Sequence, residues 1–163
     1  MWPALGRAKA VALYAATRGE IDPAALARLL IVRGAAVAYP RVVSVEPPRL
    51  AFLRVDDPAV LAAGQFGILE PPDTAAVVAE PAIIFVPGVA FARDGHRLGF
   101  GRGYYDGALA AHPLALRVGL CHEFQLLDRL PPRAGDEPVD FILTPRERIA
   151  TRARPLAPEE VPS

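Results

Sequence analysis

Cysteine and serine are scarce in this chain, and their scarcity excludes several kinds of chemistry. Cys121 is the only cysteine, so no intramolecular disulfide can form and no cysteine cluster is available to bind zinc. Ser44 and Ser163 are the only serines, and no G-x-S-x-G motif surrounds either of them, which argues against a serine hydrolase. We expect Cys121, at the end of a predicted strand, to be a small core residue and not a nucleophile.

The chain also lacks the charge imbalance and the long apolar runs that direct proteins to nucleic acids or membranes. Its formal net charge is +0, so no long-range electrostatic attraction draws it to either partner. Its longest apolar runs end well short of the roughly 18–20 residues that a membrane span needs, and no secretory signal is recognised in the sequence. These features predict a cytoplasmic protein that binds neither nucleic acid nor membrane.

The composition is that of one well-packed domain. The chain has 163 residues, of which 52% are hydrophobic, and such a chain buries a core without disulfides or structural metals. We assign residues 1–150 to a single domain. The segment 151–163 is rich in arginine, proline and glutamate, and we expect it to be a disordered tail.

A strand, a helix and a second strand follow one another near the start of the chain. Apolar runs at 10–14 and 35–39 predict the two strands. Between them, Asp22-Pro23 supplies a helix start, with Asp22 as the N-cap, and 24–33 has helical periodicity. Further predicted elements are strands at 50–55, 83–86, 116–121 and 141–143 and a helix at 104–111, with an irregular stretch at 65–72. We therefore predict an α/β fold with three α/β/α layers around a mostly parallel, Rossmann-like sheet.

The segment Arg97–Asp106 concentrates groups that bind anions. Its three glycines, Gly99, Gly101 and Gly103, allow main-chain N–H groups to approach a ligand closely. The arginines at 97 and 102 offer planar forks for phosphate or carboxylate, and the aspartate at 106 suits a metal ion or a proton. The alternative is a glycine-rich turn that simply precedes a helix, and composition does not decide between the two.

The common nucleotide-binding fingerprints do not explain this segment. A G-x-G-x-x-G motif needs a glycine where Tyr104 stands, and no G-K-S/T follows a glycine run. Tyr104 and Tyr105 either contact a ligand or pack the start of the helix. Glu20 follows the first predicted strand, at the sheet edge where ligands bind in parallel α/β folds, although a solvated capping glutamate is the alternative.

A series of short motifs occurs in order around this segment. They are Glu20-Ile-Asp22, Tyr39-Pro-Arg41, Phe66-Gly-Ile-Leu-Glu-Pro71, Val86-Pro-Gly-Val-Ala-Phe91, Asp94-Gly95, Arg97-Leu-Gly-Phe-Gly-Arg-Gly-Tyr-Tyr-Asp106, Val118-Gly-Leu120, Phe124-Gln125 and Pro138-Val-Asp140. Together they resemble the signature of the 5-formyltetrahydrofolate cyclo-ligase family, also called 5,10-methenyltetrahydrofolate synthetases. The resemblance covers roughly residues 10–145.

The resemblance implies an ATP- and Mg²⁺-dependent closure of 5-formyltetrahydrofolate to 5,10-methenyltetrahydrofolate, with release of ADP and phosphate. It also implies that Arg102 and Tyr104 are catalytic and that Asp106 and Asp140 hold the metal. The implied ATP-binding residues are Arg97, Leu98, Gly99, Phe100, Gly101, Arg102, Gly103, Tyr104 and Tyr105. The implied folate-binding residues are Glu20, Phe100, Gly101, Arg102, Gly103 and Tyr104.

The chain departs from the family pattern in a few places. Members usually begin with a longer basic helix, whereas Arg7 and Lys9 are the only basic residues before Val11, so we expect that helix to be missing or shortened. Ala92 and Gly107 stand where the family often has aspartate and arginine.

The leading hypothesis is thus a cyclo-ligase-like enzyme that is a monomer or a weak homo-oligomer. Two other hypotheses compete with it. One is a homologue that binds folate or nucleotide with weak or no turnover. The other is an enzyme for a different small molecule, such as a sugar phosphate, on a similar scaffold.

Overall fold

A seven-stranded sheet forms the centre of the molecule in a computed structural model that describes residues 2–17, 19–131 and 133–151. Apart from Thr151, the predicted tail lies outside the described residues. The helices are α1 (Pro3–Arg7), α2 (Ala24–Val32) and α3 (Tyr104–Ala111), and short 3₁₀ helices span Pro58–Val60, Gln65–Gly67 and Glu123–Gln125. The strands are β1 (Ala10–Ala12), β2 (Ala36–Ser44), β3 (Arg49–Arg54), β4 (Ala62–Ala63), β5 (Leu69–Glu70), β6 (Ile83–Val86), β7 (Ala90–Ala92), β8 (Arg97–Leu98), β9 (Leu116–Leu120), β10 (Leu126–Leu127), β11 (Phe141–Leu143) and β12 (Arg148–Ala150).

The central sheet has the strand order β12-β11-β9-β6-β1-β2-β3. Its inner strands, β11, β9, β6, β1 and β2, run parallel. The edge strands β3 and β12 pair antiparallel with β2 and β11. Two small sheets, β10-β7-β8 and β4-β5, accompany it. The predicted α/β fold with a mostly parallel sheet is confirmed.

Helices cover both faces of the sheet because the inner strands are apolar on both faces. All of β6 is buried, and its successive side chains point to opposite faces. Ile83 and Phe85 pack in the same core cluster as Leu30 of α2, whereas Ile84 packs with Leu109 of α3. The two helices therefore lie on opposite faces, which completes the three layers.

The order of the strands creates a crevice between β1 and β6. After β1 the chain passes through α2 to β2 on one side of β1, whereas β6, β9 and β11 follow outward on the other side. Adjacent parallel strands whose connections leave in opposite directions form a topological switch point, and ligands bind outside the carboxyl ends of the strands there. The segments that follow β1 and β6 are therefore the ones that a bound ligand would meet.

The structure differs from the predicted elements mainly where those elements are short or paired at an edge. β2 runs to Ser44, beyond the predicted 35–39, because it pairs with β3 along most of its length. Pro23 is the N-cap residue of α2 in place of Asp22, whose Oδ1 instead accepts a hydrogen bond of 2.9 Å from the backbone N–H of Ala24. The stretch 65–72 contains a 3₁₀ turn and β5. Strands of two or three residues, such as β7, β8 and β10, are too short to show periodicity.

None of the helices in the described part of the chain has the length and apolarity of a membrane span.

Candidate active site

A cavity of about 620 Å³ lies at the crevice between β1 and β6. Its walls come from the segment after β1, from the turn 65–68, from the glycine-rich segment 97–106 and from residues near 130–136. All of the residues that the sequence analysis assigned to ATP or folate line it: Glu20, Arg97, Leu98, Gly99, Phe100, Gly101, Arg102, Gly103, Tyr104 and Tyr105. The tertiary structure thus brings Glu20 and the glycine-rich segment to one cavity, although they are far apart in the sequence.

Glu20 is held in place by the segment that follows β1. Its Oε2 accepts hydrogen bonds from the backbone N–H of Thr17 at 2.8 Å and from the Thr17 hydroxyl at 3.3 Å. The Tyr14 hydroxyl donates to the carbonyl of Ile21 at 2.7 Å, which closes the same turn. Burial raises the pKa of Tyr14, and the charge of Glu20 raises it further. Tyr14 is therefore a neutral donor that fixes the turn carrying Glu20.

The glycine-rich segment needs its glycines for steric reasons. Gly103, the N-cap of α3, has φ +72°, a left-handed conformation that L side chains rarely adopt. A Cβ on Gly99 would collide with the guanidinium of Arg97. The backbone therefore folds tightly around Arg97 and exposes the amide end of α3 to the cavity, an arrangement that favours anions.

Arg97 is almost fully buried, with its side chain 7% exposed. Its Nη2 donates to Asp106 Oδ1 at 2.9 Å. Its Nε has no hydrogen-bond partner within the described part of the chain. Because buried donors are normally satisfied, this N–H is a candidate to bind a ligand oxygen.

The two tyrosines of the segment combine both roles that the sequence left open. The hydroxyls of Tyr104 and Tyr105 are buried and lack a partner among residues 2–17, 19–131 and 133–151, while the ring of Tyr105 packs against the core on both faces. Burial raises the pKa of Tyr105, helped by neighbouring Tyr14 and Glu20. Tyr105 therefore stays protonated and is a hydrogen-bond donor at the cavity.

Arg102 has a different environment from Arg97. Its side chain is exposed, and its Cζ lies 3.9 Å from the centre of the Phe66 ring. Phe66 has φ +61°, and a non-glycine residue in this conformation stores about 1–3 kcal/mol of strain, a feature that clusters at functional sites. Sequence reasoning placed Phe66 within a matching motif but assigned it no role.

Asp106 and Asp140, the two aspartates assigned to a metal ion, are separated by the fold. Asp106 lines the cavity, where its Oδ1 accepts from Arg97 and, at 3.3 Å, from the backbone N–H of Glu137. Asp140 is 1% exposed and does not line the cavity; its Oδ2 accepts from the backbone N–H of Arg117 at 2.8 Å. Asp136 lines the cavity instead. A ligand role for Asp140 stays a prediction, and its placement gives that role no support.

Two acidic residues at the cavity were missed by sequence reasoning. Asp136 belongs to a segment with no recognisable pattern. Glu70 is 6% exposed and lies beside Arg41, with 3.6 Å between its Oε2 and the Arg41 Nη1, and its Oε1 accepts from the backbone N–H of Val42 at 3.3 Å. The Glu70-Pro71 pair within the matching motif was the available signal for this buried charge.

The part of the chain that the structure describes contains no cluster of three or more histidine, cysteine, aspartate or glutamate side chains able to hold a metal ion by themselves. Arg7 and Lys9, the basic residues before β1, do not line the cavity. Arg7 ends the five-residue helix α1. Within the described part of the chain, the basic side chains that line the cavity are Arg97, Arg102 and Arg133.

A doubly wound α/β sheet with a glycine-rich segment at its switch point defines the class: an α/β protein with a ligand-sized cavity outside the carboxyl ends of β1 and β6. Within that class, the model of the 5-formyltetrahydrofolate cyclo-ligase family matches residues 2–145. The chain belongs to this family.

Relatives and solved structures agree with the assignment. The chain is 34% identical to the 5-formyltetrahydrofolate cyclo-ligase of Haemophilus influenzae over 142 residues, which cover 84% of this chain and 76% of the relative. It is 31% identical to that of Escherichia coli K12 over 149 residues, which cover 88% and 82%. The structure of Aquifex aeolicus 5,10-methenyltetrahydrofolate synthetase superimposes with a TM-score of 0.80 at 37% identity, covering 95% of this chain and 78% of the other. A synthetase from Mycoplasma pneumoniae shares the fold with a TM-score of 0.64 at 23% identity, over 90% of this chain and 76% of that one.

Proposed function

We propose that this protein catalyses the ATP-dependent cyclisation of 5-formyltetrahydrofolate to 5,10-methenyltetrahydrofolate, with release of ADP and phosphate. The observation that carries the proposal is the meeting of Glu20 with the segment Arg97–Asp106 in one cavity of a chain that belongs to the cyclo-ligase family. The reaction belongs to the cytoplasm, as the free and buried Cys121 suits a reducing compartment. The working form is a monomer or a weak homo-oligomer.

The proposed reaction has two steps. The formyl oxygen attacks the γ-phosphorus of ATP, and the bond from that phosphorus to ADP breaks. N10 then bonds to the formyl carbon and loses its proton to water, while the bond from that carbon to oxygen breaks and phosphate leaves with the electron pair. Phosphoryl transfer of this kind depends on positioning and on neutralisation of charge more than on covalent catalysis.

The residues of the cavity suit these demands. Arg97 and Arg102 neutralise the charge on the phosphate oxygens. Gly101 and Gly103 line the same cavity, and their backbone amides bind those oxygens as well. The Tyr104 hydroxyl, buried without a partner in the described chain, donates to the reacting oxygen. Glu20 accepts hydrogen bonds from the pterin N–H groups.

The carboxylates of the cavity fit Mg²⁺ when the ligand phosphates and water supply most of its oxygens. Asp106, whose side chain is 29% exposed, and Asp136 would hold it. The ion would offset phosphate charge there. Asp140 does not line the cavity and lies apart from these two carboxylates.

The test is a spectrophotometric assay of the purified protein. With 5-formyltetrahydrofolate, ATP and Mg²⁺, the near-UV absorbance of the methenyl product rises, and omission of ATP abolishes the rise. The Haemophilus influenzae relative, assayed alongside, is the positive control. Absence of product where that relative is active would sink the proposal, and thermal stabilisation by folate or nucleotide without product would then identify a binding homologue.

A further inference from the structure

Arg117 is a charged residue in the middle of a central strand. It lies in β9, between β6 and β11, where a parallel sheet covered on both faces ordinarily has apolar residues. Its side chain is 3% exposed. A buried arginine is costly unless its charge is paired and its donors are bonded, so its partners indicate what the residue is for.

The Arg117 guanidinium joins two separate parts of the molecule. Its Nη2 donates to the carbonyl of Leu109, in the last turns of α3, at 2.9 Å. Its Nη1 donates to Glu137 Oε2 at 2.7 Å and to the carbonyl of Pro138 at 3.3 Å. A cation at the C-terminal end of a helix is also favoured by the helix dipole. Arg117 therefore fastens the segment 137–138 to α3.

Glu137 carries this connection to the cavity. While its side chain binds Arg117, its backbone N–H donates to Oδ1 of Asp106, in the first turn of α3. The same oxygen accepts from Arg97. The neighbouring Asp136 lines the cavity, and its Oδ2 accepts from the backbone N–H of Arg133, another cavity residue, at 2.8 Å. A chain of hydrogen bonds thus runs from the sheet core through residues 117, 137, 106 and 97 to the cavity. Its two ends are ion pairs, and its middle link is the backbone N–H of Glu137.

We infer that Arg117 is a positioning residue that holds Asp106, Asp136 and Arg97 in place for the magnesium–nucleotide half of the substrate pair. The inference rests on the proposed function, since it concerns the same cavity. It does not extend to the folate half, because Thr17, which donates two hydrogen bonds to Glu20, belongs to the segment after β1.

The test separates positioning from mere support of the fold. Arg117→Met alone leaves Glu137 without its partner and destabilises the protein. The double variant Arg117→Met/Glu137→Gln removes both charges of the ion pair and is more stable than Arg117→Met, because neither partner of the pair is left as an unpaired charge. We expect this double variant to bind Mg·ADP at least tenfold more weakly by calorimetry, while its affinity for 5-formyltetrahydrofolate changes less than threefold. Hydrogen exchange of the peptide 133–139 rises at the same time.

Arg93→Met is the matched control, because it removes an exposed arginine that pairs with Glu147 away from the cavity, and both affinities stay unchanged in it. Arg117→Lys keeps the charge without the bidentate reach and recovers only part of the nucleotide affinity. Unchanged Mg·ADP affinity in the folded double variant, or an equal loss of both affinities, would overturn the inference. An unmodified protein that binds both ligands but forms no product would reject the proposed function and leave this inference standing.

Discussion

The two arginines of the glycine-rich segment show how differently two sides of one cavity are built. On the ion-paired side, Arg97 pairs with Asp106, which also accepts a hydrogen bond from the backbone N–H of Glu137, and the Arg97 side chain is 7% exposed. On the aromatic side, Arg102 is exposed and rests on the ring of Phe66. In the sequence the two arginines are five positions apart and look equivalent.

The difference indicates separate duties for the two sides. The ion-paired side is preorganised, because its charges are already matched and its geometry is fixed before a ligand arrives. Exposed Arg102 has only a cation–π contact, worth about 0.5–1 kcal/mol at such a site, so an anionic ligand can draw it away from the ring at low cost. Under the proposed function, we expect the ion-paired side to fix the position of the phosphates and the aromatic side to follow the charge that develops during the reaction.

Alanine substitution of the two arginines gives the largest expected contrast. Arg102→Ala lowers kcat/KM on the order of 100-fold, as loss of a transition-state charge contact does, while the free energy of unfolding changes little because the side chain is exposed. Arg97→Ala lowers activity and also destabilises the fold by about 2 kcal/mol, since it leaves Asp106 without its partner. Steady-state kinetics and urea unfolding measure both effects.

Arg54→Ala is the control for charge removal, because this arginine pairs with Asp56 at the surface. We expect neither kcat/KM nor the free energy of unfolding to change in this variant. If Arg97→Ala and Arg102→Ala lowered the free energy of unfolding equally, the two sides of the cavity would not differ in the way described.

The strained aromatic residue offers a second contrast, of intermediate size. Phe66→Gly and Phe66→Ala both remove the ring below Arg102, but only glycine adopts φ +61° without strain. We expect the glycine variant to be about 1 kcal/mol more stable than the alanine variant, as measured by urea unfolding. Phe124 is an exposed residue with ordinary φ in the 3₁₀ helix Glu123–Gln125. There we expect Phe124→Ala to be more stable than Phe124→Gly. If Phe66→Ala proved more stable than Phe66→Gly, the backbone at position 66 would not be strained.

The third expected effect is a pH dependence on the ion-paired side, where Arg97 lies over the Tyr105 ring; it is absent near pH 7 and appears only in alkali. Burial raises the pKa of Tyr105 above its ordinary value, so the folded state holds the proton more tightly than the unfolded chain. This contribution to stability is complete below pH ~10 and is lost as the pH rises towards the folded-state pKa. Tyr105→Phe should therefore match the unmodified protein near pH 7 and exceed its stability by about 1 kcal/mol at pH 11.

Urea unfolding at the two pH values measures this effect. Parallel loss of stability in both proteins between pH 9 and 11 would show that Tyr105 is not responsible.

The sequence predicted the elements of the fold that have strong local signals. The apolar run of β6, the helix start at Gly103 and the order of strand, helix and strand at the beginning of the chain are all visible as patterns. Residues such as Glu70 and Arg117 were missed because burial of a charge depends on partners distant in the sequence, and no local pattern records them. Asp140 was assigned to a metal for its motif, while its surroundings make it a partner of the Arg117 amide.

The sequence alone determined the α/β class, the family resemblance and the position of the candidate ligand-binding segment, because these depend on periodicity and on local glycine, arginine and tyrosine content. Only the tertiary structure decided which charged groups share the cavity. Strand order set the crevice at β1 and β6 and brought Glu20 to the glycine-rich segment. Packing buried Arg97 beside Asp106 and left Arg102 exposed on the ring of Phe66. It also buried Asp140 next to the backbone N–H of Arg117. Contacts among residues distant in the sequence fix where each charge lies, so no local pattern could show it.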